Sequence, residues 1–166
     1  MNEAYRQKQL QYGLSNEPKI LLIIQNVFSK SIQKSKYKYS KYDYYDKQTK
    51  YIFELKTRRI RHDQYPTALL NVCKINYKNL IIIYEYTDGY FYIEYDNDLF
   101  KSFTSNLQHI NGYTQTQEVI NIPYQYLIKF TIEDQIKLTA KYDTTDFNSI
   151  LEADDRLFNE LEYILN

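Results

Sequence analysis

The 166 residues are 43% hydrophobic and 25% charged with three glycines and three prolines, which excludes a disordered or low-complexity chain and fits one folded domain over residues 1–166. A single cysteine excludes an internal disulfide and a thiolate metal cluster; the apolar runs at 20–24 and 80–84 are far too short for a bilayer, and no signal-peptide core opens the chain. The formal charge of zero hides a division, because residues 1–82 hold 16 Lys and Arg against 6 Asp and Glu, whereas residues 83–166 hold 5 against 15. A basic first half suits a phosphate backbone, although attraction between the halves, within one chain or across a dimer, accounts for the same split. Twenty tyrosines beside many Asn, Ile and Lys follow AT-rich codon usage and also suit strands. An intracellular protein away from membranes is expected.

In chain order, the first dozen residues can form a polar helical arm, and a helix over residues 17–28 starts near Ser15 or Asn16 with Pro18 in its first turn. Ile20, Leu21, Ile24, Val27 and Phe28 give that helix a face to cover a sheet, while Glu17 sits at its N-terminus, where the dipole favours a carboxylate. The segment 29–41 alternates Lys and Tyr near its end, with Lys36, Lys38 and Lys41 able to follow phosphate or to solvate an edge strand. Residues 42–45 and 50–56 then form a hairpin around a polar turn at 46–49. Residues 61–76 are expected to form a polar entry and then a second helix, starting near Asp63 or Tyr65 with Pro66 in its first turn and Ala68, Leu69, Val72 and Cys73 buried, followed by strands at 79–86 and 90–95 about an Asp88-Gly89 turn. Beyond Asp96 the pattern is polar, including Asn111-Gly112, until a short strand near 118–122, a helical or extended piece at 123–130, and a final helix from Asp146.

Chemistry concentrates in YIFELKTRR, residues 51–59. Strand alternation sends Glu54 and Lys56 to one face and Phe53 and Leu55 to the other. The hairpin carries Asp43 toward Glu54, and two carboxylates beside a lysine can hold a magnesium ion and stabilise charge on a phosphodiester. Arg58, Arg59 and Arg61 follow immediately, so the expected partner is anionic. His62 and His109 lack a ligand pattern and read as surface or structural residues. Cys73 reads as buried on its helix, and Tyr65 can touch a substrate or pack against the hairpin.

The block YDYYDKQTKYIFELKTR, residues 42–58, resembles the PD-(D/E)XK nuclease superfamily of restriction endonucleases and Holliday junction resolvases, and the likeness spans about residues 17–95. It implies an α/β fold with a restriction endonuclease-like αβββαβ core, a mixed central sheet flanked by helices, and a C-terminal helical extension over 96–166 that packs on the core or forms a dimer interface. By the same resemblance Asp43 and Glu54 are metal ligands, the Leu55 carbonyl a third, Glu17 an additional acidic ligand and Lys56 the catalytic lysine. Tyr42 stands where the family often has proline. The implied activity is a Mg²⁺-dependent DNA endonuclease, with Mn²⁺ as substitute, acting as a homodimer on duplex or branched DNA. Lys36, Lys38, Lys41, Arg58, Arg59, Arg61, Gln64 and Lys74 would contact the nucleic acid. A phage or large-virus source would place it in the cytoplasm or at viral or host DNA. A non-catalytic nucleic-acid-binding or structural protein on the same fold is the alternative.

Overall fold

Residues 3–28 carry Ala, Leu, Glu, Gln and Lys, all good helix formers, at half of their positions, and the chain is helical well before the expected cap. In a computed structural model that describes residues 3–37, 40–109 and 116–165, helix α1 is Glu3–Val27 and Pro18 lies inside it rather than in its first turn. The expected start at Ser15 or Asn16 is corrected accordingly; the Ser15 hydroxyl turns back to donate to the Tyr12 carbonyl (3.0 Å) instead of capping. Lys38 and Asn111-Gly112 lie outside the described residues.

The chain continues through β1, Gln33–Lys34, and β2, Tyr44–Asp46, into β3, Tyr51–Thr57. The turn between β2 and β3 is held by Asp46, whose carboxylate accepts from Ser31, the Gln48 amide and Thr49, while Lys50 takes the positive φ of 62°. Strands β4, Thr67–Asn71, β5, Leu80–Tyr86, and β6, Gly89–Glu94, follow. Gly89 closes the β5–β6 hairpin at φ 146°, a conformation other residues rarely adopt. Helix α2, Asn97–Ser102, leads to β7, Ser105–His109, β8, Thr116–Pro123, and β9, Ile128–Phe130; α3, Phe147–Leu165, ends the described chain.

These strands make a six-stranded sheet ordered β1-β2-β3-β5-β6-β9 and a three-stranded sheet ordered β4-β8-β7. The large sheet is mixed, since β3 and β5 run parallel and every other neighbour is antiparallel. One face packs Phe53, Ile81 and Ile83 against Ile20, Ile24 and Val27 of α1. The other packs Ile52, Ile82 and Tyr84 against Ala68 and Leu70 of β4, Ile120 and Ile122 of β8, and Phe147 of α3. The protein is thus an α/β fold with a mixed central sheet flanked by helices, and a small second sheet shares one flank.

Two expectations are corrected in the crossover. Residues 61–76 form no long helix: they hold β4 and a single 3₁₀ turn, Val72–Lys74. TALLN buries Ala68 and Leu70 and leaves its odd positions half-exposed, a period of two that pairs with the distant β8 from Thr67↔Pro123 to Asn71↔Val119. Cys73, expected to be buried, is exposed on the 3₁₀ turn. The acidic half is woven into both sheets through β6 to β9, and the buried Asn79 amide pins the later coil by bonding both backbone groups of Tyr142. In α3 the apolar stripe buries Phe147 at its start, but Leu157 and Ile164 are exposed. The strand reading distinguishes neighbouring leucines: Leu70→Ala should cost about 2–4 kcal/mol in urea unfolding and Leu69→Ala clearly less, whereas a helix burying Leu69 would reverse that order.

Candidate functional site

Strand β3 lies inside the large sheet; its ladder with β2 runs from Tyr51 to Phe53 and stops there, while its ladder with β5 continues to Thr57, so the C-terminal end is held by β5 and turns its other edge to Asp43. Asp43 immediately precedes β2 and is tied to β3 twice: its amide donates to the Phe53 carbonyl (3.0 Å), and its Oδ2 accepts from the Leu55 amide (2.7 Å). Glu54 is 2% exposed. Its Oε1 accepts from Lys56 Nζ at 2.5 Å and from Lys74 Nζ at 3.1 Å, while its Oε2 is buried with no hydrogen-bond partner among the described residues. Both ammonium groups therefore sit on one oxygen and leave the other vacant.

Burial and the neighbouring Glu54 carboxylate push the Asp43 carboxyl up to about 6, against the pull of the Leu55 amide, Lys56 and Lys74. Burial would lower the Lys74 ammonium, but Glu54 and Asp43 outweigh it and hold it above its ordinary value. Lys74 was expected to reach phosphate from a helix. Instead the 3₁₀ turn after β4 folds it back onto Glu54, a contact no spacing in the sequence announces.

Glu17 joins the same region from α1. Two depressions of about 220 and 250 Å³ share Leu14, Glu17 and Asp43 as walls; the first also includes Leu55, Lys56 and Arg58, and the second Lys34, Lys36 and Ser40. The Glu17 carboxylate is paired with Lys34 at 2.5 Å, and Lys34 is half-exposed. Across the second depression the Ser40 hydroxyl donates to the buried Asp154 of α3 (2.5 Å), which braces the loop leading into Asp43.

The other basic positions divide. Lys36 is exposed on the second depression and Arg58 lines the first, whereas the exposed Lys41 lines a separate depression against Ile150, Ala153 and Leu157 of α3. Arg59 lies over the Tyr12 ring at 4.1 Å. Arg61 is engaged by Asp63 (3.2 Å) and Asp88 (3.7 Å), and Gln64 is exposed in that same loop.

That loop holds a group absent from the expected site. His62, Asp63 and Asp88 place ligand atoms within 4.8 Å of one another and can hold a metal ion. Glu17, Asp43 and Glu54 do not close to that distance as a threesome, so any ion between them needs water or movement to complete its shell. In the His62 group, however, Asp88 is already occupied: Oδ1 accepts from the His62 amide (3.0 Å) and Oδ2 meets His62 Nδ1 (2.6 Å). Burial would raise the Asp88 carboxyl, but these His62 bonds hold it below the usual range. The His62 ring also stacks on Phe91 at 4.5 Å, so the group locks the β5–β6 turn to the preceding loop. An exposed acid next to a histidine in sequence, with an Asp-Gly turn 26 residues later, is too ordinary a pattern to find it beforehand.

No family model, curated protein or solved structure matches this chain. Among the described residues, no helix is long and apolar enough to cross a membrane.

The raised Asp43 carboxyl carries a stability consequence. Its folded pKa of about 6 exceeds the ordinary 3.8, so the native chain holds the extra proton and stability falls as pH rises between those values. Asp43→Asn, which can still accept from the Leu55 amide, should remove that fall and stabilise the protein by about 1–3 kcal/mol at pH 7 but not at pH 4. Urea unfolding of both proteins at the two pH values checks the sign.

Proposed function

We propose that this chain is a metal-dependent DNA endonuclease of the PD-(D/E)XK kind, of restriction-like or junction-resolving type, with Asp43, Glu54 and Lys56 at its centre. The observation that carries the reading is the buried Oε2 of Glu54, unpaired among the described residues, beside the half-buried carboxylate of Asp43. An unpartnered carboxylate oxygen is costly unless a cation or proton meets it, and hard oxygen donors suit Mg²⁺ or Mn²⁺. The crossover departs from the αβββαβ pattern, because β4 and the 3₁₀ turn stand where the family's second helix would be.

Asp43 and Glu54 would hold the ion, with the Leu55 carbonyl as a third ligand and Glu17 orienting an outer water. When bound, the ion supplies Lewis-acid polarisation of a phosphate oxygen and a lowered pKa for water. Lys56 and Lys74 place two positive charges where the scissile phosphate gains negative charge. Hydrolysis joins the water oxygen to phosphorus and breaks one P–O ester bond; the water's proton passes to solvent and the departing oxygen is protonated. Arg58 and the exposed Lys36 would position the backbone without reading bases. Cutting both strands requires two such sites, which suits a homodimer.

A non-catalytic nucleic-acid-binding protein is the second reading, favoured by the pairing of Glu54 with two lysines and by the separation of Glu17, Asp43 and Glu54. Linear, supercoiled and branched DNA incubated with Mg²⁺, Mn²⁺ or chelator separates the two. Cleavage should require the metal and fall about 100-fold or more in Lys56→Ala and Glu54→Gln. Asp63→Asn, at the exposed member of the His62 group, should leave the rate within about twofold. Equal cleavage by the native chain and both site variants would overturn the assignment, and salt-sensitive binding without cleavage would establish the second reading.

A further inference from the structure

A cavity of about 420 Å³ opens beside the cleft, walled by Arg58, Ile60, Tyr65, Pro66, Leu69 and Tyr86 among others. Its size falls in the range of small-molecule pockets, roughly 300–1,000 Å³. Arg58 lines this cavity and also the depression that holds Asp43 and Lys56, so the two share a wall. From Lys56 to Arg58 the chain advances about 7 Å at strand rise. That is the scale separating a phosphate from the base of its own nucleotide.

The walls are apolar and aromatic, with one cation at the boundary. Tyr86 is buried and stacks on Tyr84, with ring centroids 5.8 Å apart and planes within 12°. Tyr65 stands at the rim and is 57% exposed, a large ring with more than half of its surface in solvent. Its neighbours Gln64 and Pro66 are also exposed. Aromatic faces next to a guanidinium are the combination that takes the base and the phosphate of one nucleotide together.

We infer that this cavity receives an unpaired nucleobase of the strand whose phosphate lies against Lys56 and Arg58, with Tyr65 as the stacking residue. The inference rests on the reading that the chain acts on DNA, and it narrows the substrate to strands with an accessible base: single strands, frayed ends or branch points. A base inside an intact duplex is stacked and paired and reaches such a cavity only by flipping, at an energetic cost. Discrimination between these substrates therefore comes from access rather than from base-edge hydrogen bonds.

The test measures binding of the full chain in chelator, where hydrolysis is stopped, by fluorescence anisotropy of labelled single-stranded and blunt duplex oligonucleotides. Tyr65→Ala should weaken single-strand binding about tenfold or more and leave duplex binding unchanged, and Tyr65→Trp should restore it. Tyr65 is exposed, and an unchanged melting temperature verifies that the variant folds. An oligonucleotide carrying one abasic residue at each position in turn should show the same loss at one position, with no further loss in Tyr65→Ala. Equal single-strand affinities for native and Tyr65→Ala proteins, or an equal loss on duplex, would overturn the inference. Tyr65-dependent binding of tryptophanamide alongside DNA binding that ignores Tyr65 would overturn it in favour of a protein partner. Absence of Mg²⁺-dependent cleavage with the Tyr65 effect intact would overturn the nuclease reading alone; cleavage without a Tyr65 effect would overturn the base pocket alone.

Discussion

The parallel pairing of β3 with β5 is the constraint on which the rest of the structure depends. Antiparallel strands can be joined by two residues, but a parallel pair needs a crossover that leaves one end of the sheet and re-enters at the other. Here Ile52 pairs with Leu80 and Thr57 with Glu85, so residues 58–79 must make that passage. They do so as a strand in a second sheet followed by one 3₁₀ turn, and the return leg carries Lys74 onto Glu54. The same passage raises the walls of the Arg58 cavity. Both the cationic side of the site and its neighbouring pocket are products of one topological requirement.

The site is held together by charges that would not be buried for stability alone. Glu54 is nearly sealed within the sheet, and desolvating a carboxylate is unfavourable unless partners surround it. Two lysines meet one oxygen and none meets the other, while Asp43, fastened by the Leu55 amide, adds a second carboxylate that burial and Glu54 together drive toward protonation. An apolar residue at either position would relieve this conflict. The acidic pair stands in an otherwise well-packed sheet, with Tyr51, Ile52 and Phe53 fully buried just upstream, so the electrostatic conflict is confined to the end of β3.

Much of the fold is legible in local pattern. The alternation in YIFELKT, the near-continuous apolar run LIIIYEY, the Asp88-Gly89 turn and the helical spacing of Ile20, Ile24 and Val27 each point to the element that forms. The contact of Glu54 with Lys56 is equally local, since residues two apart on a strand share a face. TALLN was not legible. Ala68, Leu69, Val72 and Cys73 fit a helical stripe as well as Ala68 and Leu70 fit a strand, and five residues are too few for period to arbitrate. The deciding partner, β8, lies some fifty residues downstream, and its hydrogen bonds override the weak local preference.

By itself, then, the sequence determined where strands and helices would compete to form, and it placed an acid and a lysine on one face at the end of a central strand, because side-chain alternation is a local property of extended backbone. Only the tertiary structure decided what meets them. Lys74 on the shared Glu54 oxygen, Asp43 on the Leu55 amide, Glu17 across the cleft and Tyr65 at the rim of the Arg58 cavity all depend on how the crossover returns and how α1 and β8 pack. Contacts between residues distant in sequence are set by sheet order and burial of both faces, which no local spacing encodes.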